Sequence, residues 1–62
     1  MTKNWAVIFN KQLELYVAIS SESGLSFLRS EEYLIQIDLT KAQALQKANT
    51  MNEILDRAKE LL

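Results

Sequence analysis

YLIQIDLTKAQA, residues 33–44, is the stretch that decides the fold. Its first half, Tyr33-Leu34-Ile35-Gln36-Ile37-Asp38-Leu39, sets a large apolar side chain at every odd number, the period of two of a half-buried strand. Thr40-Lys41-Ala42-Gln43 then reads as a capping box: the threonine hydroxyl can accept the N3 amide while the glutamine reaches back to the N-cap amide. A strand over about 33–39 therefore runs straight into a helix that starts at 41.

Downstream, Ala44, Ala48, Met51, Leu55, Ala58 and Leu62 recur at alternating spacings of four and three, and Leu45, Ile54 and Leu61 widen the stripe. That is the pattern of a helix with one face on a core. Gln43, Gln46, Lys47, Thr50, Glu53, Arg57 and Glu60 fall on the other side, with Glu53 and Arg57 in the favourable i,i+4 order. The helix is expected over about 41–61.

Upstream, Trp5-Ala6-Val7-Ile8-Phe9 is aromatic and β-branched, so a strand is expected over about 4–10. Asn10-Lys11-Gln12 is short and polar enough for a tight turn. Leu13-Glu14-Leu15-Tyr16-Val17-Ala18-Ile19 again carries its aliphatics on odd numbers, which predicts a strand over about 13–19. Between Ser20 and Glu32 the composition reads as a loop around Gly24, and Leu25, Phe27 and Leu28 leave a short strand or a turn of helix open. The expected fold is α+β: one small domain over 1–62, a three-stranded antiparallel sheet with a fourth short strand left open, packed against one long C-terminal helix.

Composition narrows the chemistry. The 62 residues include no His, no Cys, no Pro and a single Gly. The imidazole and thiolate of most zinc sites and nucleophilic triads are absent, and one glycine cannot build a phosphate-cradling loop. The serines at 20, 21, 23, 26 and 30 have no histidine to activate them. Glu31, Glu32 and Asp38 could be cast as acid–base carboxylates, and with Glu14 as a hard-cation site. Adjacent residues of an extended segment point to opposite sides, however, and no calcium-loop spacing is present. No catalytic residue, metal ligand or cofactor is expected. Seven Lys/Arg against eight Asp/Glu leave a net charge of −1, so nucleic acid is not a favoured partner. No apolar run reaches membrane-span length, and no secretion or lipid-anchor signal is read. A cytoplasmic location is expected.

Two surfaces stand out. If odd strand positions face the helix, the even face carries Ala6, Ile8, Glu14, Tyr16, Ala18, Leu34, Gln36 and Asp38. Ile8, Tyr16 and Leu34, with Glu14 at the rim, then form an apolar patch suited to a protein partner. A helix of that length spans about 32 Å, against about 23 Å for its strands. Its C-terminal end should overhang the sheet, and Met51, Ile54, Leu55, Ala58, Leu61 and Leu62 make that overhang apolar. A homodimer through these residues is expected.

Residues 37–44, Ile-Asp-Leu-Thr-Lys-Ala-Gln-Ala, following three expected strands, resemble the strand-to-helix junction of the DNA-binding domains of plant ethylene-response factors and phage-integrase arm-binding modules. Those domains read DNA with Arg and aromatic residues of the sheet; this sheet offers Glu14, Tyr16 and Gln36 instead, so the resemblance implies the fold and not the DNA reading. The order AVIF (6–9), LYVAIS (15–20) and capped helix resembles antitoxin-side domains of the HicB type, without their glycine- and proline-bearing signature. The functional expectation is a small non-enzymatic protein-binding module, such as an inhibitor, an antitoxin-like protein or a phage or bacterial accessory regulator. The alternatives are a nucleic-acid-binding regulator of βββα type and a structural subunit of a larger assembly.

Overall fold

The computed structural model describes residues 3–24 and 28–61. Three strands, β1 (Trp5–Asn10), β2 (Leu15–Ser20) and β3 (Glu32–Leu39), alternate with a helical turn α1 (Ser21–Gly24) and the long helix α2 (Lys41–Glu60), in the order β1-β2-α1-β3-α2. The strands form one antiparallel sheet in the order β2-β1-β3, and α2 packs on it. This is the α+β architecture expected. Among the described residues there is no fourth strand; Leu25 and Phe27, on which the undecided element turned, lie outside them. No helix among the described residues is long and apolar enough to cross a membrane.

The hairpin between β1 and β2 departs from the expected register, and the departure has consequences. Asn10 Oδ1 accepts the Leu13 amide at 2.9 Å, an Asx-type bond that folds residues 11–14 into a four-residue loop closed by the Asn10–Leu15 pair. Glu14 completes the loop at φ 56°, a left-handed conformation that costs a non-glycine residue about 1 kcal/mol or more. A three-residue turn would have paired odd with odd. Four residues pair Val7 with Ala18 and Phe9 with Tyr16, so the odd side of β1 shares its face with the even side of β2. Tyr16 and Ala18 consequently join the helix side with Trp5 and Val7, while Leu15, Val17 and Ile19 turn to the other face with Ala6 and Ile8.

β3 breaks its own alternation. Ile8 pairs with Leu34 but Val7 with Gln36, and Trp5 pairs with Leu39, so β1 faces two irregularities in β3. Asp38 takes φ 59° at the second, a position where Asp is among the better-tolerated residues. Each extra residue resets which side chains point at α2. Leu39 is buried under the helix, whereas Ile35 and Ile37, expected in the same row, are exposed. Because β2 and β3 both oppose β1, the connection between them must pass β1 from end to end. It is pinned at both: Ser21 donates to the Asn4 carbonyl at 2.7 Å, and Glu31 accepts from the Lys11 amide at 2.8 Å.

Thr40 closes the start of α2 as its residues require. Its Oγ1 accepts the Gln43 amide at 3.2 Å, and Gln43 Oε1 accepts the Thr40 amide at 3.0 Å, satisfying two amides near the helix start that lack intrahelical partners. Ala44 and Ala48, the two buried residues of α2, meet Val7 and Leu39, with Trp5, Tyr16 and Ala18 packed around them. Alanine at the contact lets the helix lie close on the sheet. From Lys41, whose Nζ sits 5.6 Å from the Trp5 ring centroid, α2 runs obliquely to Lys59, whose Nζ lies 3.4 Å from Glu14 Oε2 at the hairpin. It therefore leans on β2, less on β1, and hardly touches β3.

Replacing Thr40 by alanine removes the hydroxyl acceptor and is expected to cost about 1 kcal/mol. In a domain of this size that lowers Tm by roughly 4–8 °C, measured by thermal unfolding followed through helix ellipticity. An unchanged Tm would show that the box does not hold the helix start.

Candidate functional site

α2 reaches the sheet with one polar side chain. Asn52 Oδ1 accepts the Tyr16 amide at 2.6 Å, and Asn52 Nδ2 donates to the Tyr16 carbonyl at 2.9 Å. β2 is an edge strand, so these are the two backbone groups that Tyr16 turns away from the sheet. One carboxamide thus supplies the donor and acceptor that a neighbouring strand would, and the β2 edge is occupied by the helix at Tyr16. Asn52 was not singled out by the sequence pattern. Its signal was a short polar side chain, poor in helix propensity, placed directly beside Met51 of the apolar stripe.

The sheet-face residues expected to act together are divided by the hairpin register. Ile8 and Leu34 are a cross-strand pair on the face away from α2. Ile8 is only 1% exposed, whereas Leu34 is open to solvent. Tyr16 lies on the opposite face, half-buried, its ring 4.9 Å from that of Phe9. Glu14 is at the hairpin, exposed, and paired with Lys59. An Ile8–Tyr16–Leu34 patch does not exist as one surface, because a four-residue loop inverts the parity on which it rested.

The helix residues are brought together. Met51, Ile54, Leu55 and Ala58, with Tyr16, line an apolar cleft of about 180 Å³ where α2 passes the end of β2. Ile54 is 62% exposed and Leu61, two turns on, 88%; Leu62 lies outside the described residues. The Lys59–Glu14 pair holds this end of α2 near the hairpin, but both side chains are well exposed, so it contributes at most about 1 kcal/mol.

The third feature is the free side of β3. Tyr33, Leu34, Ile35 and Ile37 are all exposed on an edge strand that α2 barely contacts. Three of the four, Tyr33, Ile35 and Ile37, were expected in the core; the β3 irregularities put Ile35 and Ile37 outside, and α2, leaning over β2, leaves Tyr33 uncovered. Among the described residues no three His, Cys, Asp or Glu side chains converge on a metal-sized site. No protein-family model, curated protein or solved structure matches the chain.

Asn52→Leu removes both bonds to Tyr16 and leaves an amide and a carbonyl of β2 without their partner. Such a loss typically costs about 1–3 kcal/mol, read as a lower denaturant midpoint with unchanged slope. Asn52→Asp keeps an acceptor for the amide but turns a carboxylate oxygen on the Tyr16 carbonyl, so at neutral pH it should restore no stability over leucine. If both variants match the wild type, the helix is held by its apolar contacts alone.

Proposed function

We propose that the chain is a non-enzymatic, cytoplasmic protein-binding module that works as a homodimer joined through the C-terminal half of α2. One observation carries the reading: among the described residues more large apolar side chains are exposed than buried. Of the large ones described, Val7, Ile8 and Leu39 are buried, the other buried core positions being alanines. A domain this small buries only about 60% of its unfolded surface and gains little from such a core. With no cysteine for a disulfide, burial against another chain is the remaining source of stability. The composition, lacking both His and Cys, supports a role executed by surfaces. The near-neutral charge supports a protein partner over a nucleic acid.

The α2 sequence is self-complementary. Two copies lying antiparallel about Leu55 cover Met51, Ile54 and Ala58 with their counterparts, and Ala58 admits close approach. The same patch then serves both copies across a twofold axis, as an isologous interface requires, while Glu53 and Arg57 stay on the solvent side of each helix.

The exposed part of the seam gives the test. Ile54→Glu and Leu61→Glu each set a carboxylate in it without a partner, and both positions are exposed, so each variant should fold. By sedimentation velocity the wild type is expected to be dimeric at micromolar concentration and each variant monomeric. A wild type that stays monomeric at high micromolar concentration, or variants that dimerise undisturbed, would defeat the proposed seam.

A further inference from the structure

We infer that the outer edge of β3 accepts an extended segment of another protein, apolar and basic in composition, as a fourth strand. The inference rests on the protein-binding reading above but not on the α2 dimer.

The two edges of the sheet are treated differently. On β2, the outward amide and carbonyl of Tyr16 are taken by Asn52. That geometry also fixes the phase of the whole ladder. Since Tyr16 points its backbone groups away from Phe9, its pair partner, Phe9 must turn its own toward β3, where it faces Tyr33. Lys11, two residues on, confirms the phase by donating to the Glu31 carbonyl. Tyr33 is then bonded inward, and Leu34 turns its amide and carbonyl to the open side. Among the described residues none of the hydrogen bonds outside the strand ladders reaches Leu34, and no helix lies there.

Edge strands are normally defended by Lys, Pro or a covering element. From residue 30 to residue 40 the chain has neither Lys nor Pro, and Tyr33, Leu34, Ile35 and Ile37 are between 41% and 49% exposed. Side chains on both faces of the strand therefore offer apolar contact to a neighbour, as strand addition needs. The irregularities beyond Leu34 confine the straight part of the edge to its first half, so pairing centres on Leu34.

Charge selects the occupant. The same eleven residues carry Glu31, Glu32 and Asp38 and no base, with Arg29 and Lys41 lying outside the segment. A second copy of β3 would add acids to acids and bring no compensating base. A partner strand with lysine or arginine between apolar residues is complementary to it, favouring the right partner and repelling a copy.

The probe is a synthetic peptide the length of β3, alternating valine and lysine, compared with an alternating valine–glutamate peptide and with a valine–lysine peptide N-methylated along one edge. Binding is read by NMR titration, with amide exchange at Leu34. The valine–lysine peptide should bind and slow Leu34 exchange, while the glutamate and N-methylated peptides bind at least about tenfold more weakly. Leu34→Pro deletes the outward donor without touching the β1 ladder, where an edge proline is tolerated, and should also cost about tenfold or more. Should it fail to fold, as judged by β1 amide protection, Leu34→Lys keeps the backbone and should weaken the lysine peptide through like charge. Binding untouched by N-methylation and by both substitutions would place the peptide elsewhere and overturn the edge. Equal binding of the glutamate peptide would overturn the basic preference. Concentration-dependent protection of Leu34 in the protein alone would make the edge a contact between copies, against the inference. If the peptides fail while sedimentation shows a dimer that the α2 substitutions split, the edge inference falls and the α2 reading survives. If both fail, the protein-binding reading falls with it.

Discussion

A carboxamide in the middle of α2 stands in for a missing strand. Asn52 gives one hydrogen bond to the backbone of Tyr16 and takes one from it, and much of the architecture depends on that exchange. Bonds of this kind are directional, so the side chain must approach β2 from beside the sheet as well as from above. That requirement draws α2 off the centre, over β2 and past the hairpin, and away from β3. It occupies one edge at Tyr16, in the phase that the hairpin register gives β2, and leaves the other edge as it was. An apolar residue at 52 could pack there, but it could not do this.

The local chemistry of the chain was largely legible in the sequence; the pairing was not. Thr40 and Gln43 state the helix start outright, because a capping box is made within four residues and needs nothing else. The existence of β1, β2 and β3 follows from their apolar content, and the sheet with one long helix follows from their order. What went astray was which side of each strand faces the helix. That depends on a single loop residue, since lengthening the turn from three to four exchanges the faces of β2. The Asn10–Leu13 bond that sets the length involves a side chain equally at home in either turn. β3 differs for a related reason: its clean odd-number pattern is interrupted by irregularities in its pairing with β1, which alternation within the segment does not announce. The apolar cleft on α2 was foreseeable because helix periodicity is intrinsic, whereas the Tyr16 wall of that cleft required knowing the register.

Alanine explains both why the helix can pack and why the packing is thin. Ala44 and Ala48 bring the α2 backbone close to Val7 and Leu39, which lets the Asn52 side chain reach the sheet edge at hydrogen-bond distance. Larger residues there would bury more apolar surface but lift the helix and break that reach. The chain thus gives up core volume for geometry, and the aliphatic side chains it carries elsewhere end up outside. A small fold with a slight core and exposed Ile35, Ile37, Ile54 and Leu61 has the balance of surfaces found where burial is completed by association.

The two surfaces proposed for association lie at opposite edges of the sheet, since α2 leans over β2 while the open edge belongs to β3. A second copy seated on the C-terminal half of α2 would therefore leave both β3 edges turned outward, one on each flank of the pair. In such an assembly a partner offering two extended segments could bind both edges at once. The second contact would then form at the high effective concentration set by the linker between the segments, with no new chemistry needed. Single strand additions are individually weak when they rest on a short straight run of edge such as Glu32–Ile35. Duplication through the helix is the physical route by which so small a surface could hold a partner firmly.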